Sequence, residues 1–501
     1  MIARLDALLG RVTMYLLVVG ILGVLTVLAL VLAATRVIAF DPVAILVSAL
    51  VLVAASWIAN QVLGIIFRTR PLTESGIITA QLLLFVLEPT LDPAGLLGLV
   101  AAAAIAAASK YLIAWRGRHL VNPAAFGALV AGVTGLAFSS WWVGTAAMLP
   151  AVALGALLIL WRTRHLGMGV LFLAVGAAVQ ISVVLGAGGD LAAALSLTLL
   201  SGPLVFAAGY MLSEPLTLPP RRWQRLVYAV VVALLSTVPY AFGPFRTTPE
   251  LALVIGGVLA FLLGQRRGVR LEFVSKRQLT PTAWEFRFRP AAPLRFAAGQ
   301  YLELTLPHRR PDGRGIRRVF SITSTPGAAE VTVGVRIREG ASSFKRALLA
   351  LEPGARVRAT GVWGDFTLPR HPDAKLAFVA AGIGVTPFLA HLGTLARDAR
   401  AADVELVYAV RSASELAYRD ELAAVGCRVS VLCPDDPGEL PPHCTWLGTD
   451  ALDAAAVHRA IPDAAERTIY LSGAPADVAR LRRALRAAGT RRIRTDVFLG
   501  Y

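Results

Sequence analysis

From residue 12 to residue 264 the chain passes through one apolar run after another, and this stretch constrains everything else. A water-soluble core cannot hide so much apolar surface, and it lifts the whole chain to 56% hydrophobic residues and a mean hydropathy of +0.65. Segments 12–34, 42–67, 77–91, 94–114, 123–142, 145–161, 168–187, 191–212, 224–243 and 249–264 are long enough, some only marginally, to cross a hydrocarbon core of roughly 30 Å. The expectation is a polytopic all-α membrane domain over residues 1–264, with about ten spans set in the lipid bilayer. Residues 265–501 have the mixed composition of a globular enzyme.

A net charge of +17 would suit nucleic acid if the basic residues lined an aromatic-studded groove, but they do not, and no nucleic-acid partner is expected. They mark span ends instead. Arg4 and Arg11, Arg68 and Arg70, Lys110, Arg116 and Arg118, Arg162 and Arg164, Arg221, Arg222 and Arg225, and Arg266, Arg267 and Arg270 fall on one set of ends, whereas Arg36, Asp41, Glu88, Asp92, Asp190, Arg246 and Glu250 fall on the other. The positive-inside rule then puts both termini in the cytoplasm of a multi-pass protein of the cell (inner, cytoplasmic) membrane. The first apolar run lacks a small-x-small cleavage site and counts as a span. Cys427, Cys433 and Cys444 fit no zinc or iron–sulfur spacing, so no metal site is expected.

In the soluble half, short strands with Pro/Gly turns between residues 271 and 360 suggest a small antiparallel barrel, and strand–loop–helix alternation from Lys375 suggests a parallel sheet. The expected domains are 268–370 and 371–501. Within the first, Arg317-Arg318-Val319-Phe320-Ser321-Ile322-Thr323-Ser324 alternates like a half-buried strand. Such a strand can grip a flavin, with Arg318 on the pyrophosphate, Phe320 against the ring and Ser321 at the ring's polar edge; it also suits an edge strand with one solvated face. Gly340-Ala341-Ser342-Ser343 precedes a short helix and can hold a pyrophosphate at its cap. Gly382-Ile383-Gly384-Val385-Thr386-Pro387 joins a buried strand to an apolar helix, a turn whose glycines let backbone approach a dinucleotide. At the end of the next strand Arg411 could meet an adenosine 2′-phosphate, which favours NADPH over NADH.

These motifs, in this order, resemble the ferredoxin–NADP reductase family over roughly residues 268–501. The resemblance adds Ser472-Gly473-Ala474-Pro475, similar to the family's Cys-Gly-Pro segment, and the terminal Asp496-Val497-Phe498-Leu499-Gly500-Tyr501. It implies a cytosolic FAD barrel with an α/β nucleotide domain and hydride transfer from NAD(P)H. It places Ser321, Ser472 and Phe498 at the reacting centre, with Phe498 or Tyr501 covering the flavin face. Two departures matter: Phe320 stands where tyrosine is usual, and Ser472 where cysteine is.

The apolar half is broken by polar residues in three places: 71–76, 119–127 and 213–217. Two of them flank the third and eighth spans, which correspond if two halves of five form an inverted repeat. The segments Ser75-Gly76-Ile77-Ile78-Thr79, Ser109-Lys110-Tyr111, Asn122-Pro123-Ala124-Ala125 and Ser213-Glu214-Pro215-Leu216-Thr217 resemble a family of Rnf/Nqr-like membrane proteins, which belong to ion-motive, NADH-linked electron-transport complexes. That family carries covalent FMN on a Gly-Ala-Thr motif, a string this chain lacks. The expected site is therefore a second, noncovalent flavin (FMN or riboflavin) lined by Ser75, Thr79, Asn122 and Glu214. Haem is not expected, because His119 and His165 are the only histidines of this half.

Together these features give a membrane flavoprotein oxidoreductase that takes hydride from NAD(P)H onto FAD and passes electrons to a quinone or an extracytoplasmic, flavin-bearing redox protein. The alternatives are a redox-regulated membrane transporter and a membrane-anchored reductase serving a cytosolic acceptor.

Overall fold

The computed structural model describes residues 13–68, 73–115, 118–264, 268–312, 315–369, 371, 373–398, 403–424, 426–449 and 451–498. The chain divides into two compact units, one of Val12–Arg267 and one containing Gly268–Tyr501.

The first unit is helical. Its segments are α1 Met14–Ala34, α2 Pro42–Ile66, α3 Thr73–Val86, α4 Pro93–Leu112, α5 Pro123–Val133, α6 Leu149–Arg162, α7 Leu166–Gly186, α8 Leu191–Met211, α9 Arg222–Thr237 and α10 Pro249–Leu262. One local signal starts four of them: a capping side chain followed by proline, at Asp41-Pro42, Asp92-Pro93, Asn122-Pro123 and Thr248-Pro249. The cap oxygen accepts an otherwise orphaned backbone N–H, and proline sits where no N–H is needed.

Among the described residues five helices, α1, α2, α4, α7 and α8, are long and apolar enough to cross a membrane. The ten spans expected are not shown, since α3, α5, α6 and α10 have only 14, 11, 14 and 14 residues. The shortening of α3 and α5 has a common cause. Glu88 precedes Pro89, which disfavours helix, and beyond Val86 the chain extends and pairs with the segment after α5. Leu87 bridges Ser139, Glu88 N–H donates to Phe138 O at 3.0 Å, and Ser140 N–H donates to Val86 O at 3.0 Å. Trp142 Nε1 caps the free end of α3 by donating to Leu84 O at 2.6 Å. Backbone groups that leave the helix are thus satisfied by another segment, as an apolar surrounding requires. α8 is irregular as well, with π turns at Ser196–Leu200 and Ala207–Met211.

The second unit begins with an antiparallel barrel of β1 Gly268–Gln278, β2 Ala283–Pro290, β3 Tyr301–Thr305, β4 Arg317–Ser321, β5 Val331–Arg336 and β6 Arg356–Trp363, in the order β4-β3-β6-β1-β2-β5. The Ile322–Val333 bridge brings β4 and β5 together. Burial alternates along β3, β5 and β6, and Leu304 and Val333 of these strands fill the interior with Phe273 of β1 and Phe286 and Phe288 of β2. A parallel sheet follows, of β7 Leu376–Ala381, β8 Val404–Ala409, β9 Arg428–Leu432, β10 Cys444–Trp446, β11 Thr468–Gly473 and β12 Ile493–Val497, in the order β10-β9-β8-β7-β11-β12. β7 is buried on both faces, which explains its unbroken apolar sequence. Strand order reverses between β7 and β11, and their carboxyl ends border the place where such sheets bind ligands.

Candidate functional site

β4 carries the residues expected to hold a flavin. Arg318 is 1% exposed, and its Nη1 donates to Gly315 O at 3.1 Å and Arg317 O at 2.6 Å. Its guanidinium lies 5.1 Å above the Phe344 ring, and Phe320 is half-buried with its ring 6.0 Å from that of Phe344. Helix α11 Ser343–Leu349 starts beside it, capped by Ser342, after Gly340 has turned the chain with φ +70°. The Asp312 carboxylate accepts Ser343 N–H at 2.8 Å and stands 3.6 Å from Arg318 Nη2. One carboxylate therefore joins the two groups expected to hold a pyrophosphate. The donor set fits an anion, and a phosphate would compete there with Asp312.

The nucleotide side forms at the switch point. Gly382 turns the chain with φ +56° after β7, Thr386 Oγ1 donates to Ile383 O at 2.9 Å, and buried Pro387 opens helix α12 Thr386–Arg397. Gly384 lies so close to the end of β11 that a Cβ there would come within 2.4 Å of Ser472 O. The Gly-rich loop and the Ser472-Gly473 motif are thus pressed together by backbone contact. Ser472 is 2% exposed, and its hydroxyl has no hydrogen-bond partner among the described residues. Phe498 N–H donates to Gly473 O at 2.9 Å, which fixes Phe498 beside the same motif; Tyr501 lies outside the described residues.

Barrel and sheet meet through Ser321, whose hydroxyl donates to Asp496 Oδ2 at 3.3 Å. Burial pushes the Asp496 carboxyl up to about 6, against the smaller opposing effect of the hydrogen bonds from Ser321 and the Val497 backbone. Arg411 is exposed at the end of β8. The Arg336 guanidinium reaches Gly382, where a Cβ would lie 3.3 Å from Nη1. Burial first, then repulsion from Arg338, holds Arg336 below the ordinary arginine value, with Arg411 adding to it and Glu415 opposing it.

In the first unit Ser75, Thr79, Asn122 and Glu214, from three separate breaks, line one cavity together with Tyr210 and Ser213. Lys110 Nζ donates to Ser75 O at 3.1 Å. Asn122 caps α5 through its side-chain oxygen and donates from Nδ2 to Met211 O at 3.3 Å, tying α5 to the irregular end of α8. The cavity encloses about 60 Å³. Ligand pockets commonly hold about 300 Å³ or more, so the polar set suits a flavin edge but the space does not admit the ring system.

Residues 378–476 match the family model described as the oxidoreductase NAD-binding domain. The second unit carries such a domain. The chain is 38% identical over 156 residues to ferredoxin–NADP reductase B of Sorangium cellulosum, covering 30% of this chain and 62% of that one. It is 30% identical over 162 residues to the stachydrine N-demethylase reductase subunit Stc4 of Rhizobium meliloti, covering 32% and 45%. Among solved structures, the cytochrome P450 reductase GcoB of Amycolatopsis matches at 25% identity and a TM-score of 0.40, over 47% of this chain and 70% of that one. The chain spans about half the length of these curated relatives, 45% and 62%.

No sequence motif gives a role to Asp496, Asp312, Lys110 or Arg336. Asp496 carried one signal, its place at the head of the C-terminal segment Asp496–Tyr501 that shares the family resemblance. Asp312 carried none, because its partners lie 31 residues away on α11 and on the neighbouring β4.

Proposed function

We propose that the protein is an FAD-containing oxidoreductase of the ferredoxin reductase type that takes hydride from cytosolic NAD(P)H and passes electrons, through its apolar unit, to a quinone or an extracytoplasmic redox protein. What carries this reading is the meeting of β4 with β12, whose Asp496 is the register partner of Ser472 on β11. Ser321 and Asp496 join by a hydrogen bond, and Gly384 and Ser472 by backbone contact, so groups expected to hold the flavin border those expected to hold the nicotinamide nucleotide. FAD, when bound, supplies a two-electron acceptor that can release electrons singly.

The chain's own residues bind and orient. Arg318 and Ser343 N–H attract an anion, Phe320 offers a ring face, and Asp496 holds the Ser321 hydroxyl in one direction. The N-terminus of α12 and the Arg336 guanidinium beside Gly382 favour a second pyrophosphate, and the cations Arg336 and Arg411 favour NADPH over NADH. Ser472 offers a hydroxyl with no competing partner among the described residues, suited to the nicotinamide carboxamide.

The long apolar helices support a place in the cytoplasmic membrane, with the charge pattern favouring cytoplasmic termini. The cavity of Ser75, Thr79, Asn122 and Glu214 supports a polar ligand in the apolar unit, and a second noncovalent flavin there would require α3, α5 and α8 to separate. No electron step is drawn through it. The test is to purify the chain in mild detergent, extract and count its flavins, and follow their absorbance as NADPH is added. At least one FAD per chain and bleaching of its band are expected; a colourless protein, or a band that NADPH and NADH leave unchanged, overturns the reading.

A further inference from the structure

After β6 the chain passes from barrel to sheet through Gly364-Asp365-Phe366-Thr367, and backbone carbonyls of this crosspiece are gripped from both sides. From the barrel, Gln300 Nε2 donates to Gly364 O at 3.1 Å. From the sheet, the Tyr470 hydroxyl of β11 and Arg494 Nη1 of β12 both donate to Thr367 O at 2.8 Å. From α12, His391 Nε2 donates to Phe366 O at 2.8 Å. The buried Phe366 ring lies 5.7 Å from Phe388, 5.7 Å from His391 and 5.1 Å from Tyr470, so the crosspiece is anchored in the core of the nucleotide domain.

His391 is fully buried, and burial holds its imidazole down to about 4, against the opposing effect of the Phe366 and Ala298 carbonyls. At neutral pH the ring therefore carries one N–H, and the carbonyl facing Nε2 decides that it sits there. Nδ1 has no hydrogen-bond partner among the described residues. A leucine would fill the space without leaving a ring nitrogen unsatisfied; what histidine adds is the single N–H to Phe366 O.

That bond lies between the two halves of the site. His391 follows Thr386, at the end of the Gly-rich loop, by little more than one turn of α12. Its other neighbour is the barrel loop before β3, where a Cβ on Gly299 would come within 2.2 Å of His391 Nε2 and 2.0 Å of Phe366 O. The next residue, Gln300, accepts Ile322 N–H on its backbone oxygen at 3.0 Å, directly after Ser321. A line of contacts separate from the Ser321–Asp496 bond thus runs from the nucleotide helix, through His391, Phe366 and the 299–300 loop, to the strand expected to hold the flavin.

We propose that His391 is a positioning residue for hydride transfer: its N–H to Phe366 O fixes the nucleotide loop of α12 relative to β4, so that barrel and sheet do not hinge at residues 364–367. This rests on the reading of the second unit as an NAD(P)H-dependent flavin oxidoreductase. The nicotinamide C4–H bond breaks and the hydrogen leaves with both electrons for the flavin, NAD(P)H becoming NAD(P)+. Such a transfer needs the reacting atoms in contact, so a small displacement acts on the transfer rate more than on nucleotide binding. A side chain that merely filled space would affect stability alone.

The test uses the full-length chain in detergent, loaded with FAD for one measurement and flavin-free for the other. His391→Leu removes the N–H, His391→Gln keeps an amide N–H at that point, and Gly299→Ala drives a methyl group against Phe366 O from the barrel side. In stopped flow, flavin reduction by NADPH is expected to slow at least about tenfold in His391→Leu and in Gly299→Ala, since a displacement of about 1 Å can cost roughly a hundredfold. The half-saturating NADPH concentration should change less than about threefold, and His391→Gln should stay within about threefold of wild type. In flavin-free protein, hydrogen exchange of the Ile322 amide should quicken at least about tenfold in the same two variants while the amides of β9 stay unchanged. Using two variants keeps the test open if one of them does not fold. A reduction rate unchanged in a folded variant, a loss of rate matched by lost FAD, or unchanged exchange at Ile322 overturns the proposal. Exchange needs neither FAD nor NADPH, so failure of this clamp is told apart from failure of the oxidoreductase reading, which would appear as a wild-type flavin that neither nucleotide reduces.

Discussion

Replacing Asp496 by asparagine tests the contact that joins barrel and sheet. The carboxyl is raised from 3.8 to about 6, chiefly by burial, so the folded state binds a proton more tightly than the unfolded chain does. Below pH ~4 both states hold that proton and the residue costs nothing. As pH rises from ~4 through ~6 the unfolded chain ionises first, and stability falls until both states are ionised. A displacement of two units is worth roughly 3 kcal/mol, but Asp496 keeps part of its surface exposed, which screens the charge, so about 2 kcal/mol is expected. Asparagine still accepts the Ser321 hydroxyl and cannot ionise. In thermal unfolding of the detergent-purified chain, followed by near-UV circular dichroism from pH 4 to 7.5, the second unit should lose about 4–8 °C in wild type and markedly less in Asp496→Asn. Parallel curves for the two proteins would show that Asp496 is solvated like an ordinary carboxylate, and the reasoning would fail.

Arg318→Ala and Ser321→Ala should deplete FAD and abolish NAD(P)H oxidation; a variant that retains stoichiometric FAD after gel filtration refutes the assignment of β4. Asp312→Asn should tighten FAD binding several-fold in a titration of flavin-stripped protein, because the competing carboxylate leaves the anion site, and weaker binding would show that Asp312 supports the cradle instead. Gly384→Ala forces a Cβ against Ser472 backbone and should cost about 1–3 kcal/mol in unfolding, with a raised KM for NADPH; unchanged values would mean that the loop yields freely. Ser472→Cys should preserve folding and change the rate of flavin reduction modestly in stopped flow, and an unchanged rate with either nucleotide removes Ser472 from the pocket.

What the sequence determined by itself is local. The apolar runs, the capping residues before Pro42, Pro93, Pro123 and Pro249, the alternation along β5 and the glycines after β7 all act within a few residues, so their pattern already specifies helix starts, barrel strands and a nucleotide loop. The linear order of the motifs likewise gave the expectation that Arg318, Ser321, Gly382 and Ser472 border one centre, because a family resemblance carries spatial information that periodicity lacks. Tertiary structure decided the rest. Apolar runs do not state where a helix ends, and α3 and α5 stop early because residues 86–88 and 138–141 satisfy one another's backbone across 52 residues of chain, as Leu87 and Ser139 show. Ser321 and Asp496 are 175 residues apart, and the Asp312 carboxylate acquires meaning only when α11 folds back beside β4. His391 looks like any polar residue of an apolar helix until Phe366 and the 299–300 loop enclose it, since burial and the choice of hydrogen-bond partner are properties of packing.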